Sequence, residues 1–269
     1  MANRIDETLG RLRANGATAV VPFITIGFPD VETSESLVEA LIASGADMIE
    51  LGIPFSDPVA EGPTIQMTSF RALGNGVNVH ASLDLLSRLR ANGIDAPLIF
   101  MGYYNPFLQF GVDRLAAAAE EAGLDGVIVP DLPTEEAGPF GETCARHGIY
   151  LIPLLAPTST DQRIERACSQ ASGFIYCVSL TGVTGARQSL SGGVGDLVAR
   201  IRRHTELPIL VGFGVSKREH VEQIGRYADG AVVGAALLDT IDKAPEGRRV
   251  ETAAAFVRGL KGPGSVNRS

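Results

Sequence analysis

The sequence predicts an α/β protein, specifically a single-domain (β/α)8 TIM barrel. Short apolar segments alternate with helix-like segments, and eight such pairs follow one another along the chain. The apolar segments are nearly continuous, which is typical of parallel strands covered by helices. The length of 269 residues suits a closed barrel, since such barrels have about 250 residues. An open doubly wound sheet is disfavoured because no glycine-rich fingerprint follows the first strand, where residues 27–30 have the sequence GFPD.

Each predicted strand is a short run rich in apolar and β-branched residues. The eight runs cover residues 19–26, 47–52, 97–103, 125–129, 149–155, 173–179, 208–212 and 229–233. Helical periodicity predicts helices at residues 32–44, 112–122, 134–146, 160–171, 194–204, 216–224 and 249–260, with a short helical stretch at 236–242. In the first helix, the residues on one face are Leu37, Ala40, Leu41 and Ser44. The candidate N-cap residues are Ser34, Thr134, Thr160 and Ser216.

The connection at residues 53–96 is longer than the others and has room for an extra helix. Long connections inside compact domains are usually functional. No linker divides the chain, so residues 1–262 are predicted to form one barrel domain. Residues 263–269 are predicted to form a flexible tail.

Composition and charge exclude several classes of function. The net charge of -8 disfavours nucleic acid or an anionic membrane as the main partner, because both require a basic surface. No apolar run approaches the roughly 18 residues that a membrane helix needs. A small anionic ligand remains compatible with the sequence, because it needs only a local site.

The cysteines and histidines indicate no disulfide framework and no metal centre. Cys144, Cys168 and Cys177 lack C-x-x-C spacing, which indicates reduced thiols in a cytoplasmic protein. The first sixteen residues have no apolar signal-peptide region. The four histidines lack the spacing of zinc ligands, so no metal site is predicted.

Carboxylates near the end of the second strand are candidates for proton transfer. If Ile49 and Leu51 face the helices, strand alternation directs Glu50 toward the barrel axis. Strand ends at this face hold the catalytic groups of such barrels. The alternative for Glu50 is a structural carboxylate paired with Lys or Arg. Glu61 could be a solvated loop charge, and Asp57 fits a turn better than a catalytic role.

Glycines after the seventh and eighth strands predict a phosphate site. Gly212-Phe213-Gly214 ends the seventh strand, and Gly234-Ala235 follows the eighth, just before the short helical stretch. Barrels of this type commonly bind phosphate with these two loops and a helix N-terminus, where free N–H groups favour an anion. Residues 181–193, after the sixth strand, are rich in small and hydroxyl side chains and predict a mobile lid, or a plain flexible connection.

Six segments together resemble a known family, the α subunit of tryptophan synthase. They are VPFITIGFPD at 21–30, ELGIPFSDPVAEGPTIQ at 50–66, MGYYNP at 101–106, VPDLP at 129–133, YCVSLTGVTGAR at 176–187 and GFGVS at 212–216. They occur in order, and the resemblance spans roughly residues 19–240. It implies a (β/α)8 barrel that cleaves indole-3-glycerol phosphate to indole and glyceraldehyde 3-phosphate without metal or organic cofactor.

The resemblance also implies roles for individual residues. Glu50 would be the general acid/base, Glu61 would act at the indole N–H, and Tyr176 would lie near the substrate. The expected substrate-binding residues are Phe23, Met101, Ile128 and Thr184, and the expected phosphate-binding residues are Gly185, Gly212, Phe213, Gly214, Gly234 and Ala235. Residues 53–61 and 180–192 would face a pyridoxal-phosphate-bearing β subunit.

Two positions depart from the family pattern. The family has Asp where this chain has Glu61, and commonly has Ser where it has Ala235. The extra methylene group of Glu moves the carboxylate by roughly 1.5 Å. Three hypotheses therefore remain open: a lyase that works with a β subunit or alone, a non-catalytic α-like subunit that modulates a partner, and a sugar-phosphate isomerase on the same barrel.

Overall fold

The computed structural model describes residues 3–178, 193–212 and 214–261. Its strands all run parallel, and in chain order they are β1 Ala19–Thr25, β2 Ile49–Gly52, β3 Leu98–Met101, β4 Gly126–Ile128, β5 Tyr150–Ile152, β6 Leu154–Leu155, β7 Ile175–Val178, β8 Ile209–Gly212 and β9 Gly230–Val233. The predicted tail and the carboxyl-terminal end of the predicted strand 173–179 lie outside the described residues.

The strands form a nearly closed barrel, as predicted. Their order in the sheet is β5-β4-β3-β2-β1-β9-β8-β7-β6. The ends of this order, β5 and β6, are the two halves of the strand predicted at 149–155, and they are separated by Pro153. The prediction of one continuous strand was wrong there, because proline has no N–H to extend the ladder. The Pro153 carbonyl still accepts a hydrogen bond from the Tyr176 N–H at 3.1 Å, which helps to close the ring.

Helices cover the outside of the barrel. They are α1 Arg4–Ala14, α2 Val31–Ala43, α3 Pro63–Gly74, α4 Val79–Ala91, α5 Tyr104–Phe110, α6 Val112–Ala122, α7 Gly138–Arg146, α8 Asp161–Gln170, α9 Gly193–Ile201, α10 Arg218–Ile224, α11 Ala235–Lys243 and α12 Arg249–Lys261. The prediction for α6 matches at both ends. The long connection holds two helices rather than one, and α1 and α5 were not predicted. The short α5 contains Pro106, which obscures its helical pattern.

Only one of the four predicted N-caps was correct. The Thr160 hydroxyl accepts from the Arg163 N–H and caps α8. Asp30, not Ser34, caps α2, and the Ser34 hydroxyl instead accepts from the Gly27 N–H at 2.8 Å. The predictions for Thr134 and Ser216 were wrong because α7 begins only at Gly138 and α10 follows Lys217.

Two apolar layers form on the two faces of the strands. The layer between strands and helices includes Ile49 and Leu51, whereas the layer inside the barrel includes Met48, Phe174 and Tyr176. The predicted strand parity is therefore confirmed, and Glu50 lies on the same face of β2 as Met48. Helix α1 contributes Ile5, Leu9 and Leu12 to the inner layer and covers the amino-terminal end of the barrel.

Three aspartates bind neighbouring strands together at this amino-terminal end. Asp47, Asp125 and Asp229 stand before β2, β4 and β9, and each carboxylate accepts a hydrogen bond at 2.8 Å from a backbone N–H of the adjacent strand. The donors are Val20, Leu98 and Ile209. Each aspartate also pairs with a cation, and the cations are Lys261, Arg90 and Arg202. These hydrogen bonds and ion pairs stabilise the amino-terminal end of the barrel, which is opposite the end where the site is expected.

Substitution Asp125→Asn is expected to lower the free energy of unfolding by about 2–3 kcal/mol, since it removes the charge that pairs with the largely buried Arg90. The matched control is Asp95→Asn. Asp95 bonds to Arg4 just as Asp125 does, but its side chain is 91% exposed, so the expected loss is under about 0.5 kcal/mol. Urea unfolding of both variants measures the difference, and equal losses would contradict this account.

Candidate active site

Glu50 is a buried carboxyl group that has no hydrogen-bond partner in the described part of the chain. It lies on β2 between Phe23 of β1 and Ile99 of β3, and its side chain is 0% exposed. Neither carboxyl oxygen has a hydrogen-bond partner among the described residues. Burial raises the pKa of Glu50 well above its ordinary value, and the charge of Glu61 raises it further. The alternative of a structural ion pair therefore has no support in the described part of the chain.

Glu61 lies on the loop between β2 and α3 and is half-buried. Its N–H donates to the Pro58 carbonyl at 3.0 Å, and its carbonyl accepts from the Gln66 side-chain amide at 2.9 Å. Burial raises the pKa of Glu61 to about 7. It is therefore not a freely solvated loop charge. Asp57 on the same loop is exposed, and its carbonyl accepts from the Val59 N–H, as expected of a turn residue.

Tyr176 belongs to the same electrostatic cluster. It lies on β7 in the inner layer of the barrel and is 6% exposed. Burial raises the pKa of Tyr176 well above its ordinary value, and Glu50 and Glu61 add to this shift. Its ring is packed against Gly212 of β8, where an added Cβ would stand 2.2 Å from the Tyr176 hydroxyl oxygen. Gly212 therefore makes the room that Tyr176 occupies.

The residues expected around the substrate ring lie beside Glu61. Phe23 and Met101 line a cavity of about 10 Å³ together with Glu61. Ile128 ends β4 next to Met101 and is fully buried in the inner layer. This cavity is far smaller than the roughly 300–1,000 Å³ of small-molecule sites. The space between Phe23, Met101 and Glu61 is therefore largely filled in this structure.

The residues expected at the phosphate lie at the carboxyl-terminal ends of β8 and β9. Gly212 ends β8, and Gly214 has a φ of 52°, a left-handed conformation that favours glycine. Gly234 precedes α11, and Ala235 is the first residue of that nine-residue helix. Its first N–H groups have no acceptor within the helix, as at any helix N-terminus. Three of the expected site residues lie outside the described residues, namely Phe213, Thr184 and Gly185. The same holds for the predicted lid up to residue 192.

The segment after Glu61 is tied to the helix of the expected phosphate site. The Thr64 hydroxyl donates to Asp239 of α11 at 3.0 Å, and Arg71 pairs with Asp242 at 2.6 Å. These contacts join α3 to α11 at two points along the helix, Thr64 and Arg71. Glu61 and the helix N-terminus at Ala235 are therefore held by one connected set of elements.

The sequence matches the family model described as "Tryptophan synthase alpha chain" over residues 9–261. The chain belongs to this family. It is 51% identical over 260 residues to the tryptophan synthase alpha chain of Roseiflexus sp. (strain RS-1), covering 97% of this chain and 100% of that one. Like the family, it is a carbon–carbon lyase that cleaves indole-3-glycerol phosphate, and the resemblance found in the sequence is confirmed.

Solved structures of tryptophan synthase have the same fold. The structure of subunit alpha from Legionella pneumophila str. Paris aligns with a TM-score of 0.90 at 38% identity, covering 97% of this chain and 98% of that one. A chain of the tryptophan synthase complex from Pyrococcus furiosus aligns with a TM-score of 0.83 at 36% identity, covering 90% of this chain and 97% of that one. The match extends over nearly the whole barrel of the alpha chain.

Sequence reasoning did not identify two residues that shape this alpha-chain site. Gln66 binds the Glu61 carbonyl, and Tyr103 accepts a hydrogen bond from the Ala60 N–H at 2.9 Å. Both lie inside motifs that carried the resemblance, PTIQ and MGYYNP. Their contacts depend on the path of the loop, which strand alternation does not specify.

The described part of the alpha chain has neither a cluster of metal ligands nor a helix suited to cross a membrane. Residues 3–178, 193–212 and 214–261 contain no group of three or more His, Cys, Asp or Glu arranged to hold a metal ion. None of the helices in the described part of the chain combines the length and the apolar character that a membrane crossing requires.

Substitution Gly212→Ala is expected to lower the kcat of the alpha chain by about 10- to 100-fold. The added methyl group would overlap the Tyr176 ring, and misplacing a catalytic group by about 1 Å can cost on the order of 10²-fold. Gly195→Ala on α9 is the matched control, since an added Cβ there meets nothing within 4 Å. Steady-state assays of both variants test the packing argument, and a Gly212→Ala variant as fast as the control would refute it.

Proposed function

We propose that Glu50 transfers the protons during cleavage of indole-3-glycerol phosphate, while Glu61 stabilises the positive charge of the indole ring. Glu50 donates a proton to C3 of the indole ring, which gives a cationic indoleninium species. The bond from C3 to the hydroxyl-bearing carbon then breaks, and its electron pair returns to the ring. Glu50 takes the proton of that hydroxyl as the carbonyl of glyceraldehyde 3-phosphate forms, and the carboxyl group is regenerated.

The observation that carries this proposal is the fully buried Glu50, for which the described residues supply no hydrogen-bond partner, beside a second carboxyl group in a different environment. Burial raises the pKa of Glu50 and therefore favours its protonated form, which can donate a proton. Glu61, with a pKa of about 7, is largely ionised above that pH and stabilises the positive charge at the ring N–H. Two carboxyl groups in different environments can divide the tasks of such a reaction.

The remaining expected residues complete the proposed substrate site. Phe23, Met101 and Ile128 contact the ring, with Tyr176 beside the reacting carbon and Thr184 at the substrate. The glycines and the first turn of α11 bind the phosphate, and these residues are Gly185, Gly212, Phe213, Gly214, Gly234 and Ala235. The free N–H groups at the start of α11 support this assignment. Backbone donors suffice there, so Ala235 in place of the family's Ser weakens phosphate binding without abolishing it.

The proposed partner is a pyridoxal-phosphate-dependent β subunit, bound through residues 53–61 and 180–192. Val59 in the first of these loops is 83% exposed, so its apolar side chain is available to pack against a partner. The Pyrococcus furiosus relative was solved as a tryptophan synthase complex. A cytoplasmic location, supported by the free cysteines Cys144, Cys168 and Cys177, belongs to the same proposal.

The experiment incubates the chain with indole-3-glycerol phosphate, with and without a tryptophan synthase β subunit from a close relative. Equal amounts of indole and glyceraldehyde 3-phosphate are expected, with a faster rate when the β subunit is present. An unchanged rate would remove the β subunit from the proposal and leave a stand-alone lyase. Absence of both products under both conditions would favour the non-catalytic alternative, to which the family match gives no support.

A further inference from the structure

Tyr103 touches the loop that carries Glu61 at two separate points. The side chain is 5% exposed and lies just before α5, at the carboxyl-terminal end of β3. Its hydroxyl oxygen accepts a hydrogen bond from the Ala60 N–H at 2.9 Å, one residue before Glu61. Its ring stacks on Phe55 with the ring centroids 5.1 Å apart. The first half of the loop and the residue next to Glu61 therefore contact the same tyrosine.

The position of Tyr103 is itself fixed by the barrel. The N–H of the next residue, Tyr104, donates to the Asp131 carboxylate at 2.9 Å, and Asp131 follows β4. The Gly102 N–H donates to the Ile128 carbonyl at the end of β4 at 3.1 Å. These bonds hold Tyr103 between two strand ends. The hydrogen bond that the Tyr103 hydroxyl accepts from the Ala60 N–H therefore anchors the loop to these strand ends.

We propose that Tyr103 is a positioning residue that holds the Glu61 carboxyl group at the barrel mouth. The role rests on the proposed function of Glu61, because Tyr103 acts on the reaction through the loop backbone. The start of the loop is joined to β3, because the Ile53 N–H donates to the Met101 carbonyl at 2.8 Å. The described bonds nearer to Glu61 are local to the loop or come from α3. They run from Val59 to Asp57, from Glu61 to Pro58 and from Gln66 to Glu61. Among the described hydrogen bonds of residues 57–61, only the bond between Ala60 and Tyr103 reaches the segment that follows β3.

The protonation of Glu61 depends on this placement. The titratable groups that face it among the described residues are Glu50 on β2, Tyr176 on β7 and Tyr103 itself. Asp131 faces Tyr103 from the end of β4, and Asp57 lies exposed on the same loop. Because burial raises the pKa of Glu61, a loop that detaches into solvent returns this pKa toward its ordinary value.

Substitution Tyr103→Phe tests the proposal because it keeps the stacked ring and removes the acceptor. The expected result is a 3- to 10-fold lower kcat, as for the loss of about one hydrogen bond, with KM changed less than twofold. The acidic limb of the kcat–pH profile is expected to move to lower pH. The matched control is Tyr104→Phe, whose ring packs against Phe140 and whose backbone bond to Asp131 is kept. It should leave kcat and the profile unchanged.

A second comparison separates failure of this proposal from failure of the proposed function. In a background with Glu61→Gln, Tyr103→Phe should cause no further loss of kcat. If Tyr103→Phe lowers kcat equally in both backgrounds, or leaves kcat and the pH profile of the parent unchanged, the positioning role is wrong. If Glu61→Gln alone retains parental turnover and the parental pH profile, the proposed function of Glu61 fails, and the role of Tyr103 fails with it.

Discussion

Substitution Glu50→Gln is expected to reduce kcat for indole-3-glycerol phosphate cleavage by about 10²- to 10⁴-fold, the usual contribution of a positioned general acid or base. Gln fills the same space and remains buried, but it has no proton to donate to C3 and cannot accept one from the hydroxyl. The effect should appear mainly in kcat, since Glu50 acts on the reacting bond and not on the phosphate. Steady-state assays of the isolated chain measure it.

Folding of the Glu50→Gln variant provides the internal control. The raised pKa means that the folded chain binds this proton more tightly than the unfolded chain. The stability linked to Glu50 is therefore complete below the unfolded pKa of 4.5 and falls as the pH rises toward the folded pKa. At pH 8 the variant should be at least as stable as the parent. Glu121→Gln, at an exposed position on α6, is the matched activity control. Parental turnover in Glu50→Gln would contradict the mechanism.

Both Glu61→Gln and Glu61→Asp are expected to be slow, and for different reasons. Gln removes the negative charge that stabilises the ring cation, so kcat should fall by about 10²- to 10³-fold. Asp keeps the charge but withdraws it by roughly 1.5 Å while Tyr103 and Gln66 hold the backbone in place, so kcat should fall by on the order of 10²-fold. In the parent, kcat should rise with pH through about 7 as Glu61 ionises.

The acidic limb of the kcat–pH profile distinguishes the effect of the Glu61 charge from the effect of its side-chain length. Glu61→Gln should lose the limb near pH 7, whereas Glu61→Asp should keep a limb at the pH set by its own burial. Asp57→Asn is the matched control on the same loop, since Asp57 is exposed. A Glu61→Asp variant with the kcat of the parent would contradict this prediction. It would mean that the loop moves despite its hydrogen bonds to Tyr103 and Gln66.

The barrel and its inner face were predictable because they depend on short-range patterns. Alternation along β2 alone placed Glu50 inside the barrel, and the apolar runs gave the strands to within a few residues. Pro153 is present in the sequence, but the apolar residues on both sides of it led to the prediction of one continuous strand. The predictions of N-cap residues were wrong more often than the predictions of strands. A hydroxyl such as that of Ser34 can bond elsewhere, and here it binds the Gly27 N–H.

The loop contacts could not be predicted in the same way. Tyr103 reaches Ala60 across 43 positions of the chain, and this pairing depends on how the loop folds back over the strand ends. Gly212 was predicted as a phosphate residue, and its motif gave no sign that its lack of a side chain also makes room for Tyr176. The resemblance identified Gly212 by its motif. The structure gives a physical reason for glycine at this position, because a side chain there would overlap the Tyr176 ring.

The most direct test of the two-carboxylate account is the rate of indole formation by the isolated chain carrying Glu50→Gln and Glu61→Gln together, measured beside both single variants. If the two groups act in one concerted cycle, their losses are not additive. The double variant should then be only slightly slower than the slower single variant. A double variant whose loss equals the product of the two single losses would show independent roles, and one that retained parental rate would overturn the assignment of both residues.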